Sequence, residues 1–174
     1  MSAALLIIDM QIGLLQWPEK PFEVERVLAN IQHLIAQARE KNVPIFAVRH
    51  TGPQNSPIAA GSPLWQLLPE LNLNAEVDSL FDKFRPNAFH GTALEQQLKA
   101  AQVDDLYIVG MKSQFCIDST CRTAADLGFK PLLVADAHTC MDTPALSARA
   151  IIEHHNATLG AAFARLINSA DVVF

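Results

Sequence analysis

Short apolar runs rich in β-branched residues alternate along the chain with longer segments whose apolar residues recur every three or four positions. The clearest runs are ALLII at 4–8, PIFAV at 44–48, LYIV at 106–109 and LLVA at 132–135, with weaker ones at 77–81 and 171–174. Between them, residues 23–41 place Val24, Val27, Leu28, Ile31, Leu34, Ile35 and Ala38 on one face of a helix. Residues 91–101, 115–127 and 145–168 read as further helices. Strands alternating with amphipathic helices indicate a parallel sheet covered on both sides, and the near-continuous apolarity of the central runs fits strands buried on both faces. The expected fold is therefore α/β, a three-layer α/β/α sandwich. Residues 51–69 hold four prolines and two glycines and read as a long surface loop with one helical turn at 64–68.

Composition narrows this picture without changing it. Half of the 174 residues are hydrophobic and 18% are charged, as in a packed domain. The even spread of apolar runs offers no boundary, so residues 1–174 are expected to form one domain. A net charge of −5 without a basic block lacks the electrostatic footprint of a nucleic-acid binder, leaving small molecules or proteins as the expected partners. The first nine residues have no basic region before the apolar run, and Asp9 interrupts it, so neither a signal peptide nor a membrane span is expected. Three cysteines, at 116, 121 and 140, make an odd count that fits a reducing, cytoplasmic setting better than a disulfide framework.

Ligands of open parallel sheets bind beyond the carboxyl ends of the strands. Three chemically active residues fall at or just after such ends: Asp9, Lys83 and Cys116. Cys116 lies in a strand–loop–helix passage near a helix start, where free N–H groups stabilise a thiolate, lower its pKa and can hold an oxyanion. It is equally a residue type that packs helices against sheets. Cys121, roughly 140° further around the helix, forms no pair with it, and Cys121 and Cys140 are expected to be packing residues. Asp9 reads as a general base or as a cap of the following turn, and Lys83 as a cation orienting Asp9 or as a solvated loop lysine. His50 is a lone loop histidine without visible metal-binding partners, and the adjacent His154 and His155 make no chelating face.

Taken together, LLIIDMQ at 5–11, KFRPNAF at 83–89 with GTAL at 91–94, Gly110 to Cys116 and Thr120 with Ala124 to Gly128, and Asp136-Ala137 are similar to the successive signatures of isochorismatase-like cysteine hydrolases. The resemblance implies a Rossmann-like fold with a six-stranded parallel sheet and an Asp9–Lys83–Cys116 triad. It also implies a cis peptide at Met111–Lys112, an oxyanion hole formed by the N–H groups of Lys112 and Cys116, and self-association as a dimer or tetramer. Nicotinamide-hydrolysing members carry a metal-binding Asp-x-His after the second strand. Residues 49–55 here read RHTGPQN, so no metal and no cofactor are expected. Isochorismate-cleaving members typically lack the cysteine, and Cys116 therefore places the expectation in the amidase-like branch. Trp17, Trp65, Phe89 and His138 are candidates for shaping the pocket, and Gln11, Phe84, Asn87 and Phe115 for contacting substrate. The expected activity is metal-independent hydrolysis of a C–N bond in a small amide through a Cys116 thioester. The alternatives are vinyl-ether hydrolysis and a non-catalytic ligand-binding or thiol-sensing role.

Overall fold

In a computed structural model that describes residues 2–15 and 19–174, β1 (Ser2–Ile8) runs through the middle of the sheet. Its alternate side chains serve two cores, as the two-residue strand period dictates. Leu5 and Ile7 pack with Val27, Ile31 and Leu34 of α2 (Val24–Glu40) on one face. Ala4, Leu6 and Ile8 face the opposite layer, with Leu98 of α3 (Leu94–Ala100), Cys121 of α4 (Asp118–Asp126) and Leu159 of α5 (Ala148–Ala162). A three-layer α/β/α sandwich results.

All six strands are parallel, in the order β3-β2-β1-β4-β5-β6. The others are β2 (Ile45–His50), β3 (Ser79–Lys83), β4 (Val103–Met111), β5 (Lys130–Thr139) and β6 (Arg165–Ile167). The winding reverses between β1 and β4, and at such a switch point the loops leaving neighbouring strands diverge and open a crevice. A short helix, α1 (Ile12–Leu15), follows β1 there. No helix among the described residues is long and apolar enough to cross a membrane.

Several expected boundaries move. The weak strand at 77–81 is β3 at Ser79–Lys83, so Lys83 is the last residue of its strand rather than a loop residue beyond it. The helix expected to reach residue 168 ends at Ala162, and residues 165–167 form the edge strand β6 against Leu132–Val134. Residues 171–174 form no strand, and Phe174 instead packs edge-on against Tyr107 at 4.8 Å between ring centroids. An edge strand of three residues carries too few alternations to show its period inside an adjoining helical pattern. The expected helix at 115–127 divides into a wide turn at Ser113–Ile117, closed by Ile117 N–H donating to Lys112 O, and α4. The turn expected at 64–68 is a 3₁₀ turn at Pro63–Trp65.

One glycine is required by the switch point. Gly110 has a φ of +117°, and a Cβ there would lie 2.0 Å from the carbonyl oxygen of Ile8, its partner across the β1–β4 pairing. Both strain and overlap with rigid backbone oppose any side chain. Gly110→Ala is expected to destabilise the protein by roughly 3 kcal/mol, read as a lower denaturant midpoint with an unchanged slope.

Candidate active site

Four strand ends converge on one ammonium. Asp9, immediately after β1, has a φ of +54°, a left-handed conformation that aspartate tolerates better than most residues. Lys83 ends β3 and pairs in register with His50, which ends β2. Cys116 sits in the wide turn after β4. Lys83 Nζ donates to Asp9 Oδ2 at 2.8 Å, to Cys116 Sγ at 3.3 Å and to His50 Nδ1 at 3.2 Å. An ammonium has three N–H donors, and here each has an acceptor. Lys83 and Asp9 are fully buried and Cys116 nearly so, so the sequence reading of Lys83 as a possible solvated residue gives way to a buried ion pair.

Burial sets the electrostatics. It pushes the Asp9 carboxyl up, with Lys83 opposing the shift. Burial, and secondarily the Asp9 charge, push the Cys116 thiol up to about 12 despite Lys83. The thiolate stabilisation expected from a helix start is thus outweighed: Cys116 precedes α4 inside the wide turn, and desolvation of the anion dominates. Asp9 Oδ1 is buried and has no hydrogen-bond partner among the described residues, which leaves one acceptor of the carboxylate available for a proton. The Met111–Lys112 peptide bond is cis.

A cavity of about 220 Å³ opens over this cluster, lined by Asp9, Leu14, His50, Pro86, Lys112, Phe115 and Cys116. A neighbouring cavity of about 240 Å³ shares Leu14 and Lys112 with it and is closed by Gly13, Pro57, Ile58 and Met141. Phe115 is half exposed at the rim. The other expected contacts are placed differently. Gln11 is fully buried and spends its side chain on backbone, donating to the carbonyls of His50 and Trp65 and accepting from His50 N–H. Asn87 donates to Thr123 Oγ1 and accepts from Phe89 N–H. Phe84 is 71% exposed and outside the cavity lining. Phe89 stacks on Phe129, and Trp65 packs under the Arg49 guanidinium while donating to Thr51. Trp17 lies outside the described residues.

Two arrangements went unseen in the sequence. His50, read there as lacking partners, brings a donor atom within 4.8 Å of donor atoms of Asp9 and Cys116, a grouping with metal-site spacing. Lys83 Nζ already bonds all three, so a cation sits among them. Beneath the turn that carries Cys116, buried Ser113 Oγ lies 2.8 Å from His138 Nδ1, and His138 Nε2 lies 2.8 Å from Asn156 Oδ1. The Asn156 carbonyl fixes the proton on Nε2, so Ser113 donates to Nδ1. Burial holds His138 near a pKa of about 4, keeping it neutral, and this chain anchors the turn to β5 and α5. His138 therefore supports the site from below. Only an S-x₂₄-H-x₁₇-N spacing records it in sequence, and that spacing has no local meaning.

The chain matches the Isochorismatase domain over residues 3–171. It belongs to the isochorismatase family. Streptothricin hydrolase of Streptomyces noursei is 32% identical over 145 residues, covering 82% of this chain, which spans about half (51%) of that protein's length. The secreted isochorismatase effector Isc1 of Verticillium dahliae is 27% identical over 98% of this chain and 90% of its own. An isochorismatase from Pseudomonas putida superposes with a TM-score of 0.91 at 31% identity, over 98% of this chain and 90% of that one. The six-stranded parallel sheet expected from the resemblance is that of the family.

Two outcomes follow from the buried cluster. Replacing Lys83 by Met strands the Asp9 carboxylate in a dry site and is expected to cost about 3–5 kcal/mol, with much of the loss recovered in the Asp9→Asn/Lys83→Met double variant; chemical denaturation of the three proteins measures both. Iodoacetamide labelling of native Cys116, followed by peptide mapping, should accelerate about tenfold per pH unit between roughly pH 7 and 9, because the thiolate fraction is still rising there for a pKa of about 12. A plateau near neutrality would mean a stabilised thiolate instead.

Proposed function

We propose that this isochorismatase-family hydrolase cleaves a non-peptide C–N bond of a small amide or ureide, with Cys116 as nucleophile, Asp9 as proton carrier and Lys83 as the fixed cation between them. The observation that carries the reading is the triple hydrogen bonding of Lys83 Nζ to Asp9, His50 and Cys116 at the floor of a cavity. Hydrolysis by a relative, streptothricin hydrolase, lends it support.

The proposed steps run as one acyl transfer and one hydrolysis. Asp9 removes the thiol proton as Sγ bonds to the carbonyl carbon, and the carbonyl electron pair moves onto oxygen. The N–H groups of Lys112 and Cys116 receive that oxyanion. Its collapse breaks the C–N bond while Asp9 delivers the proton to the departing nitrogen, leaving a thioester. Water then attacks with Asp9 as base, the C–S bond breaks, and the sulfur regains its proton. Lys83 keeps its protons throughout and balances whichever anion forms. The proposed mechanism uses no metal: Lys83 Nζ, bonded to Asp9, His50 and Cys116, supplies the positive charge among them.

A screen of small amides, ureides and imides for ammonia or amine release, with Cys116→Ala as control, tests the nucleophile. Cys116→Ala and Asp9→Asn should each lose at least about 1,000-fold in kcat while retaining a native circular dichroism spectrum. Turnover that survives Cys116→Ala would redirect the reading toward chemistry that forms no thioester. Dialysis against chelator should leave kcat unaltered, and a stoichiometric zinc or iron whose removal abolishes turnover would overturn metal independence.

A further inference from the structure

We propose that His50 is a substrate-binding residue whose Nε2–H donates a hydrogen bond to a second carbonyl oxygen of the substrate, so that the site selects acylureas and imides over amides with a single carbonyl. The inference rests on the hydrolase reading above and goes beyond it by assigning a residue outside the Asp9–Lys83–Cys116 group to recognition.

The tautomer of His50 is set by its neighbour. Lys83 Nζ has only hydrogens to offer, so at 3.2 Å the His50 Nδ1 atom must accept. A neutral ring that accepts at Nδ1 carries its proton on Nε2. Protonating the ring would turn an N–H toward the ammonium, and both burial and Lys83 hold the His50 pKa below its ordinary value. The imidazole is therefore a neutral donor of one hydrogen bond. Among the described residues Nε2 has no partner, the ring is only half buried, and His50 lines the cavity over Cys116.

Position determines which substrate atom this donor meets. The reacting carbonyl oxygen belongs to the N–H groups of Lys112 and Cys116, and the departing nitrogen belongs to Asp9. His50 lines the same cavity as Asp9 and Cys116, so a substrate bonded to Cys116 Sγ has the His50 ring beside it, and an oxygen on the atom next to the scissile amide group is the acceptor assigned to Nε2–H. The backbone of His50 is anchored on both sides by Gln11, so replacing the side chain leaves the strand end clamped.

N-acetylurea and N-ethylurea differ by one carbonyl oxygen and test this directly. The wild-type protein should show a KM about tenfold lower for N-acetylurea, the worth of one hydrogen bond in a partly dry site. His50→Phe also removes the Lys83 acceptor, a loss common to both substrates, so each protein is read by its own N-acetylurea to N-ethylurea KM ratio. His50→Phe should erase that ratio, and His50→Gln, which keeps an N–H near the Nε2 position, should restore part of it. The same pair is measured by calorimetry on Cys116→Ala and Cys116→Ala/His50→Phe proteins, where the preference should again depend on His50 without any chemical step. Calorimetry thus separates the two readings: turnover surviving Cys116→Ala would fault the nucleophile alone, while the binding ratio still reports on His50. Equal preference in wild-type and His50→Phe proteins, a loss confined to kcat, or failure of both ureas to bind overturns the proposal.

Discussion

One lysine must cross a strand. β3 and β1 are separated by β2, yet Lys83 at the end of β3 bonds Asp9 at the end of β1. Its side chain can do so only by passing over the end of β2, which is where His50 lies. An apolar residue at that position would leave one ammonium proton unsatisfied in a dry site, at a cost of about 1.5–3 kcal/mol. His50 Nδ1 removes that penalty. The geometry of the whole cluster thus follows from strand order: β2 supplies the acceptor beneath the lysine, β1 the counter-charge, and the turn after β4, across the switch point, the sulfur. A shift of one residue in the β2–β3 register would send Lys83 to the other face of the sheet.

Burying a carboxylate and an ammonium together is justified energetically only when every remaining donor and acceptor is matched. Here every ammonium proton is matched, and one carboxylate oxygen, Asp9 Oδ1, has no partner among the described residues. Burial raises the pKa of both Asp9 and Cys116. The cost of moving a proton between them depends on the difference between the two values, not on either alone. Shifting both upward keeps the thiol protonated at rest while making the carboxylate a stronger base. Lys83 is bonded to both groups, so it stays paired with an anion whichever of them holds the proton. In the mechanism proposed above, a thiol of this kind gives up its proton once a substrate carbonyl provides the electron sink.

The central strands were legible because burial on both faces forces continuous apolar runs: 4–8 and 106–109 lie within β1 and β4, and 132–135 within β5. β6 was not, since its three residues continue an apolar pattern begun in α5, and the reversal shows only in three dimensions, where Leu166 lies so close to Gly160 that a Cβ there would meet it at 2.9 Å. Asp9, Lys83 and Cys116 all stood out at strand ends, but the choice of Lys83 as the partner of Asp9 over a solvated lysine came from family resemblance. No local property distinguishes a lysine that will cross β2 from one in solvent. Gln11 and Asn87 were singled out for substrate contact, whereas here Gln11 bonds backbone and Asn87 donates to Thr123 Oγ1 and accepts from Phe89 N–H, neither lining the cavity over Cys116. Ser113, His138 and Asn156 meet only through the packing of three separate elements, and the thiol's pKa depends on burial that position in sequence does not report.

The division of labour in the site follows from how each wall is held. The chemical floor hangs from sheet ends, whose register leaves little freedom. The far wall of the neighbouring cavity comes from residues 51–69, which form no regular sheet structure beyond a single bridge of Leu67 to Gln11. That segment is nevertheless pinned tightly: Gln11 holds Trp65 O, Arg49 covers the Trp65 ring while paired with Asp82, and Trp65 Nε1 bonds Thr51. Gly13 lets it approach so closely that a Cβ would meet Leu64 O at 2.8 Å. Pro57 and Ile58 are thereby fixed as the far wall of the second cavity, which joins the first at Leu14 and Lys112. Replacements at Pro57 and Ile58 alter the volume offered to a substrate tail without touching the strand ends that hold the reacting groups. In the proposed reading, selectivity for size is therefore separable from reactivity, whereas the selectivity assigned to His50 is not fully so, because the same ring that lines the cavity also accepts from Lys83.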